Sequence, residues 1–153
     1  AAAGASIASM PSSEIYSGMQ TGVLDATNTS SESFVSYRLY EQVKCLTAPG
    51  ANALWFMYEP VLMSKQSFDK LNEAQQKAIL AAGKKAQDWF AKEVRKGDQK
   101  LIDTYKKANV EVVEMSAADY DAWLKVAQES SYKNFAEKVK GGEELIKKAL
   151  SVQ

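Results

Sequence analysis

The sequence contains no histidine, and this absence removes more chemistry than any other feature of the composition. Ser-His and Cys-His nucleophile pairs are excluded, as are metal sites built on imidazole. Only carboxylate, lysine or tyrosine chemistry remains, and no nucleophile and base pair can be read from the spacing, so neither an enzyme, nor a metal, nor a cofactor is expected. The single cysteine, Cys45, cannot close an internal disulfide, and its apolar neighbours indicate a small buried residue. Neither sign of charge is in excess. Nineteen basic residues against nineteen acidic ones give no broad attraction to nucleic acid or to an anionic membrane. No apolar run reaches the roughly 18 residues of a membrane span. The opening AAAGASIAS lacks a basic leader, and the chain is expected to begin mid-protein or to be already processed.

What is present suffices for a core: 153 residues with 46% apolar side chains can bury one domain. Only three prolines occur, and none lies between Asn72 and Asn109. That stretch reads as one long helix. Asn72 can cap its first turn while Gln75 reaches back, approximating a capping box. Ala78, Ala82, Ala86, Phe90, Val94, Leu101, Tyr105 and Ala108 then recur at helical spacing as an expected buried stripe. About 36 residues at about 1.5 Å each would span about 54 Å, more than one small lobe can cover. The helix is either a coiled coil or a beam crossing two packed lobes. A dimer seam wants Leu or Ile at alternating a and d positions, and the small and aromatic residues here favour the beam. Gly83 and Gly97, each costing about 1 kcal/mol in a helix, are expected where another backbone comes close or the helix bends; neutral positions on an open face are the alternative.

Along the rest of the chain, short strands are expected at Ala5–Met10, Val23–Ala26, Lys44–Ala48, Leu54–Met63 and Val110–Met115. A helix opened by Pro11 and Ser12 or Ser13 carries Ile15 and Met19 inward and ends at Gly22 in a left-handed cap. Another, begun at Ser30 or Ser31, runs through Val43. Ser64–Leu71 is a short helix, Ser116 caps one running toward Val139, and Gly141-Gly142 separates it from a last one, Glu143–Val152. Strands and helices alternate, which gives an α/β fold with a largely parallel sheet. Two stretches are candidate sites. Asn28, Thr29 and Ser30 stand at a helix start, where backbone N–H groups and hydroxyls can receive a ligand carboxylate or hydroxyl, or where they merely cap the helix. Trp55 and Phe56 lie in the densest aromatic cluster, which core packing alone can explain.

The succession Gly4-Ala5-Ser6, Met10-Pro11, Glu14-Ile15-Tyr16, Gln20-Thr21-Gly22-Val23-Leu24-Asp25, then Met63-Ser64-Lys65 and Phe68-Asp69-Lys70-Leu71 before a very long helix, resembles the TRAP transporter solute-binding proteins of the DctP family. Val110-Glu111-Val112-Val113 and Met115-Ser116 after the helix fit as well. The resemblance implies a periplasmic-binding-protein-like two-lobed α/β fold of which this chain is the C-terminal half. Residues 1–54 and 95–153 would form the second lobe and 55–94 part of the first, with the long helix spanning both. It further implies a periplasmic receptor that closes by hinge motion over a small organic acid and delivers it to TRAP membrane permease subunits, completed by the N-terminal half of the same protein.

Family members hold the ligand carboxylate with an arginine upstream of the position where this sequence starts. Neither Arg38 nor Arg95 falls there, and both are expected on solvated or paired helix surfaces. Thr29 lies nearest the family's ligand-touching Asn, with Asn28 able to shift into that role, and Ser30 beside it. Trp55 and Phe56 fall at the family's crossover beside the cleft, and Glu59 matches loosely a region where some relatives use an acidic residue together with a metal ion. The competing class is a helical scaffold or oligomerisation module that uses the long helix as its interface.

Overall fold

Helix ends in the computed structural model, which describes residues 1–56 and 58–152, fall where side chains or special backbone angles satisfy the terminal peptide groups. Helix α1 (Ser12–Gln20) ends at Gly22, whose φ of 74° is the expected left-handed turn. Helix α2 (Ser31–Ser36) is shorter than expected. Arg38 takes a left-handed φ of 55°, and a separate 3-10 turn (Leu39–Glu41) follows, so the helix does not run through Val43. The break is tied to α1: Arg38 pairs with one Glu41 oxygen, and the Tyr16 hydroxyl donates to the other at 2.9 Å.

Strand β1 (Cys45–Thr47) is followed by α3 (Lys65–Asp69), α4 (Glu73–Lys107) and β2 (Glu111–Val113). The two strands pair in parallel with Leu46 opposite Val112, which requires a crossover connection such as the one α3 and α4 supply. Among the described residues the expected sheet reduces to this pair. No strand forms at 5–10, 23–26 or 54–63, the last of which includes Met57, outside the described residues. A strand exists only through its partner. Val23 and Leu24 instead give their N–H groups to Gly18 O at 2.9 and 3.0 Å, continuing the cap of α1, and Ile7, Val61 and Leu62 are exposed. Cys45 is exposed, contrary to expectation. Alternate residues of a strand face opposite sides, and in β1 the inner side belongs to Leu46.

Helix α4 carries the expected capping box, with Gln75 N–H donating to Asn72 Oδ1 at 2.9 Å and Asn72 N–H to Gln75 Oε1 at 3.0 Å. Its 35 residues span about 52 Å. Of the expected buried stripe only Leu101 and Tyr105 are buried, and every residue from 77 to 92 is exposed. A Cβ at Gly83 or Gly97 would meet nothing within 4 Å, so the close backbone approach expected there is not found.

The core gathers Leu46, Leu101, Tyr105 and Val110, with Phe34, Val35, Tyr40, Val43 and Val112 packed around them. Tyr105 meets Phe34 and Tyr40 edge-on, with ring centroids 6.1 and 5.8 Å apart, a favoured aromatic geometry. After β2, Ser116 caps α5 (Ala117–Ala127), and the helical backbone continues through a π turn (Gln128–Tyr132) into α6 (Lys133–Lys138). Gly141 breaks it with a φ of 76° before α7 (Gly142–Leu150). No helix among the described residues is long and apolar enough to cross a membrane.

Candidate functional site

The polar run Asn28-Thr29-Ser30 lies between α1 and α2, and its position is set from both ends. On the α1 side, Leu24 folds back on Gly18 so closely that a Cβ there would sit 3.1 Å from Leu24 Cδ1, which explains why the smallest residue stands at this buried position. On the α2 side, Ser30 Oγ accepts the Ser33 N–H at 3.2 Å and donates to Ser33 Oγ at 3.0 Å. Ser30 therefore acts as the helix cap, the simpler of its two expected roles. Asn28 is exposed, whereas Thr29 is only 8% exposed. A side chain as small and polar as Thr29 is seldom buried without purpose, because its hydroxyl must find a partner or border an opening. No side-chain polar atom among the described residues is both fully buried and unpartnered.

Trp55 and Phe56 lie in the irregular segment between β1 and α3, 41% and 80% exposed, so core packing does not account for them. No hydrogen bond or aromatic pair joins them to residues 28–30 among the described residues. The aromatic pairs sit instead around Tyr105, where burial, and secondarily the neighbouring Tyr40, raise the phenol above its ordinary pKa. Two open concavities, one lined by Asp88, Ala91, Lys92 and Arg95 and the other by Ala3, Asp119, Ala122, Trp123 and Val126, include none of the five candidate residues. Arg38 is paired with Glu41 and Arg95 lies on the exposed surface of α4, as expected for both. Among the described residues no three His, Cys, Asp or Glu side chains converge as metal ligands would.

Three polar groups near these segments escaped the sequence reading. Ser31 Oγ donates to Asp98 Oδ1 at 2.7 Å, and the Tyr105 hydroxyl donates to Phe34 O at 3.3 Å, so both ends of α2 are tied to α4. Asn52 Nδ2 donates to Met115 O at 2.9 Å, tying the turn after β1 to the exit of β2. The signal for Asp98 was present: it precedes Leu101 by three residues and Tyr105 by seven, which places it on the packed face of α4.

The family DctP, bacterial extracellular solute-binding protein family 7, matches residues 1–138. A solute-binding protein of Albidiferax ferrireducens is 39% identical over 94% of this chain and 43% of its own length. The 2,3-diketo-L-gulonate-binding periplasmic protein YiaO of Escherichia coli is 29% identical over 98% of this chain and 44% of its own. The crystal structure of a TRAP periplasmic solute-binding protein from Rhodoferax ferrireducens with bound malonate superposes with a TM-score of 0.85 at 36% identity, covering 99% of this chain and 50% of that one. The chain thus spans about half the length of the curated relatives it matches. Its α/β fold is that of half a TRAP-type binding protein, and the family is one of solute-binding proteins rather than enzymes. With a family match over residues 1–138, the chain belongs to the DctP family of bacterial extracellular solute-binding proteins.

Proposed function

We propose that this chain supplies one side of the cleft of an extracytoplasmic, periplasmic receptor that captures a small organic acid between two lobes and delivers it to TRAP membrane permease subunits. The observation that carries this reading is the superposition of 99% of the chain on half of a malonate-bound TRAP binding protein. The exposed stretch of α4, residues 77–92, agrees with it. In this reading residues 1–54 and 95–153 form the second lobe, 55–94 enter the first, and the N-terminal half of the same protein completes the first lobe. Asn28, Thr29 and Ser30 on one side and Trp55 and Phe56 at the crossover face the ligand. Contact with both lobes exists only in the closed arrangement, so ligand shifts the population toward closure.

The test is calorimetric titration of malonate into residues 1–153 alone and into the full-length protein. The isolated chain should bind at millimolar strength or weaker, because half the cleft is missing. Micromolar or tighter binding by it overturns the shared cleft. In the full-length protein, Thr29→Ala and Asn28→Ala should each weaken binding by about 1 to 3 kcal/mol, and Trp55→Phe by no more than about 3 kcal/mol while removing most of the ligand-dependent fluorescence change. Wild-type affinity in all three variants would displace the site.

A further inference from the structure

We infer that Asp98 is a positioning residue: it fixes the polar turn 28–30 to the long helix, so that turn, α2 and α4 move as one body. The inference rests on the reading above for what the turn does, but on side-chain geometry for how it is held. Asp98, Leu101 and Tyr105 recur at steps of three and four along α4, and seven residues fall only about 20° short of two full helical turns. They therefore form a single face. Asp98 Oδ1 accepts the Ser31 hydroxyl at 2.7 Å at the start of α2. Leu101, 2% exposed, fills the middle. The Tyr105 hydroxyl donates to Phe34 O at 3.3 Å near the other end.

A carboxylate can only accept, which forces the Ser31 hydroxyl to donate and fixes its rotamer. Ser31 directly follows Ser30, whose own hydroxyl is engaged with Ser33, so two consecutive serines leave the turn little freedom. Hydrogen bonds to a charged acceptor are stronger than neutral ones, and this one joins residues 67 apart in the chain. Deleting Ser31–Asp98 would leave α2 held at one end only, free to pivot about Phe34 and Tyr105.

The test is residue-resolved amide hydrogen exchange on the chain carrying Asp98→Ala, Asp98→Asn or Ser31→Ala. Asp98→Ala and Ser31→Ala should each speed exchange at Ser33 and Phe34 by about tenfold, and the double variant should be no faster than either single one, as expected for two residues sharing one bond. Asp98→Asn keeps a side-chain oxygen and should hold protection near wild type. The Ala48 and Glu111 amides, bonded to Val113 O and Lys44 O beside the strand pair, should not change. Unchanged exchange at Ser33 in Asp98→Ala, additive effects in the double variant, or equal loosening at Ala48 and Glu111 each overturns the inference. Malonate titration of the same variants in the full-length protein separates this inference from the function on which it rests. Weaker binding in Asp98→Ala but not in Asp98→Asn supports both. Altered exchange with no malonate binding by wild type keeps the clamp and rejects malonate as ligand of the turn.

Discussion

Residues 77–92 and 97–107 belong to one unbroken helix, yet different physics holds the two ends of α4 in shape. The later segment is held by what it touches: Leu101 and Tyr105 are buried against Leu46 and Val110, and Phe34 and Tyr40 close over the phenol. The earlier segment is exposed throughout, with Trp89 63% and Phe90 48% exposed. It is helical because of local terms. Alanines at 74, 78, 81, 82, 86 and 91 have the best helix propensity, Asn72 and Gln75 cap the start, and the Lys77–Glu73 and Lys84–Asp88 pairs add a few tenths of a kcal/mol each at most. Local terms maintain a helix but rarely explain large apolar side chains in water. In the proposed two-lobed arrangement, Trp89 and Phe90 mark the part of α4 that a first lobe would cover.

The strongest way to break this contrast is to truncate the packed end. Leu101→Ala should cost about 2 to 5 kcal/mol in chemical denaturation, since a buried leucine leaves a cavity; a loss below about 1 kcal/mol would mean that the core has been misplaced. Phe90→Asp sharpens the contrast in the other direction. In residues 1–153 alone it should change stability by no more than about 0.5 kcal/mol, whereas in the full-length protein a cost of several kcal/mol is expected if a first lobe covers this face. Equal effects in both would remove the reason for calling the segment a beam.

Smaller effects separate the ends further. Tyr105→Phe should cost about 1 kcal/mol by deleting the bond to Phe34 O, and should also change the response to alkali. The phenol's folded-state pKa is raised by burial, so the stability it contributes is complete below the unfolded value of about 10 and falls as pH rises beyond that toward the raised one. Wild type should therefore lose stability above about pH 10 relative to Tyr105→Phe. Parallel pH curves would refute the assignment. Gly97→Ala, with open space around its added Cβ, should stabilise by about 0.4 to 1 kcal/mol. Gly142→Ala should destabilise, because its Cβ would sit 2.6 Å from Phe135 O. Melting temperatures of the two variants decide the sign.

The parts of this fold that the sequence made legible are those decided within one or two turns. The Asn72/Gln75 box, the left-handed Gly22, the helix break at Gly141-Gly142 and the Ser116 cap all depend on neighbours a few residues away. Strands at 5–10, 23–26 and 54–63 were not legible, because extended backbone becomes a strand only when a distant segment pairs with it. Cys45 failed for a related reason: alternation says that Cys45 and Leu46 face opposite sides, but only the partner β2 and the core decide which side is inner. At the candidate site, the capping role of Ser30 was local and visible. The bond from Ser31 to Asp98 was not, since it needs the packing of α2 on α4.

The π turn at Gln128–Tyr132 has a consequence for how this family of chains can change length. The half-buried positions from α5 through α6 are Tyr120, Leu124, Val126, Ala127, Ser130, Tyr132 and Ala136. The π turn lies among them, and such a turn absorbs one surplus residue while the α-helical turns on either side keep their facing. Deleting one residue from 128–132 would therefore restore ordinary α-helical hydrogen bonding and leave the turns beyond it facing much as they do now, whereas the same deletion within the regular turns of α5 would swing everything beyond by about 100° around the axis. In that second case Tyr132 and Ala136 would turn outward, while Gly142 and Phe135, both beyond the deletion, would keep their contact. The π turn is therefore the one place along this helical stretch where a single-residue gap keeps the flanking faces in line.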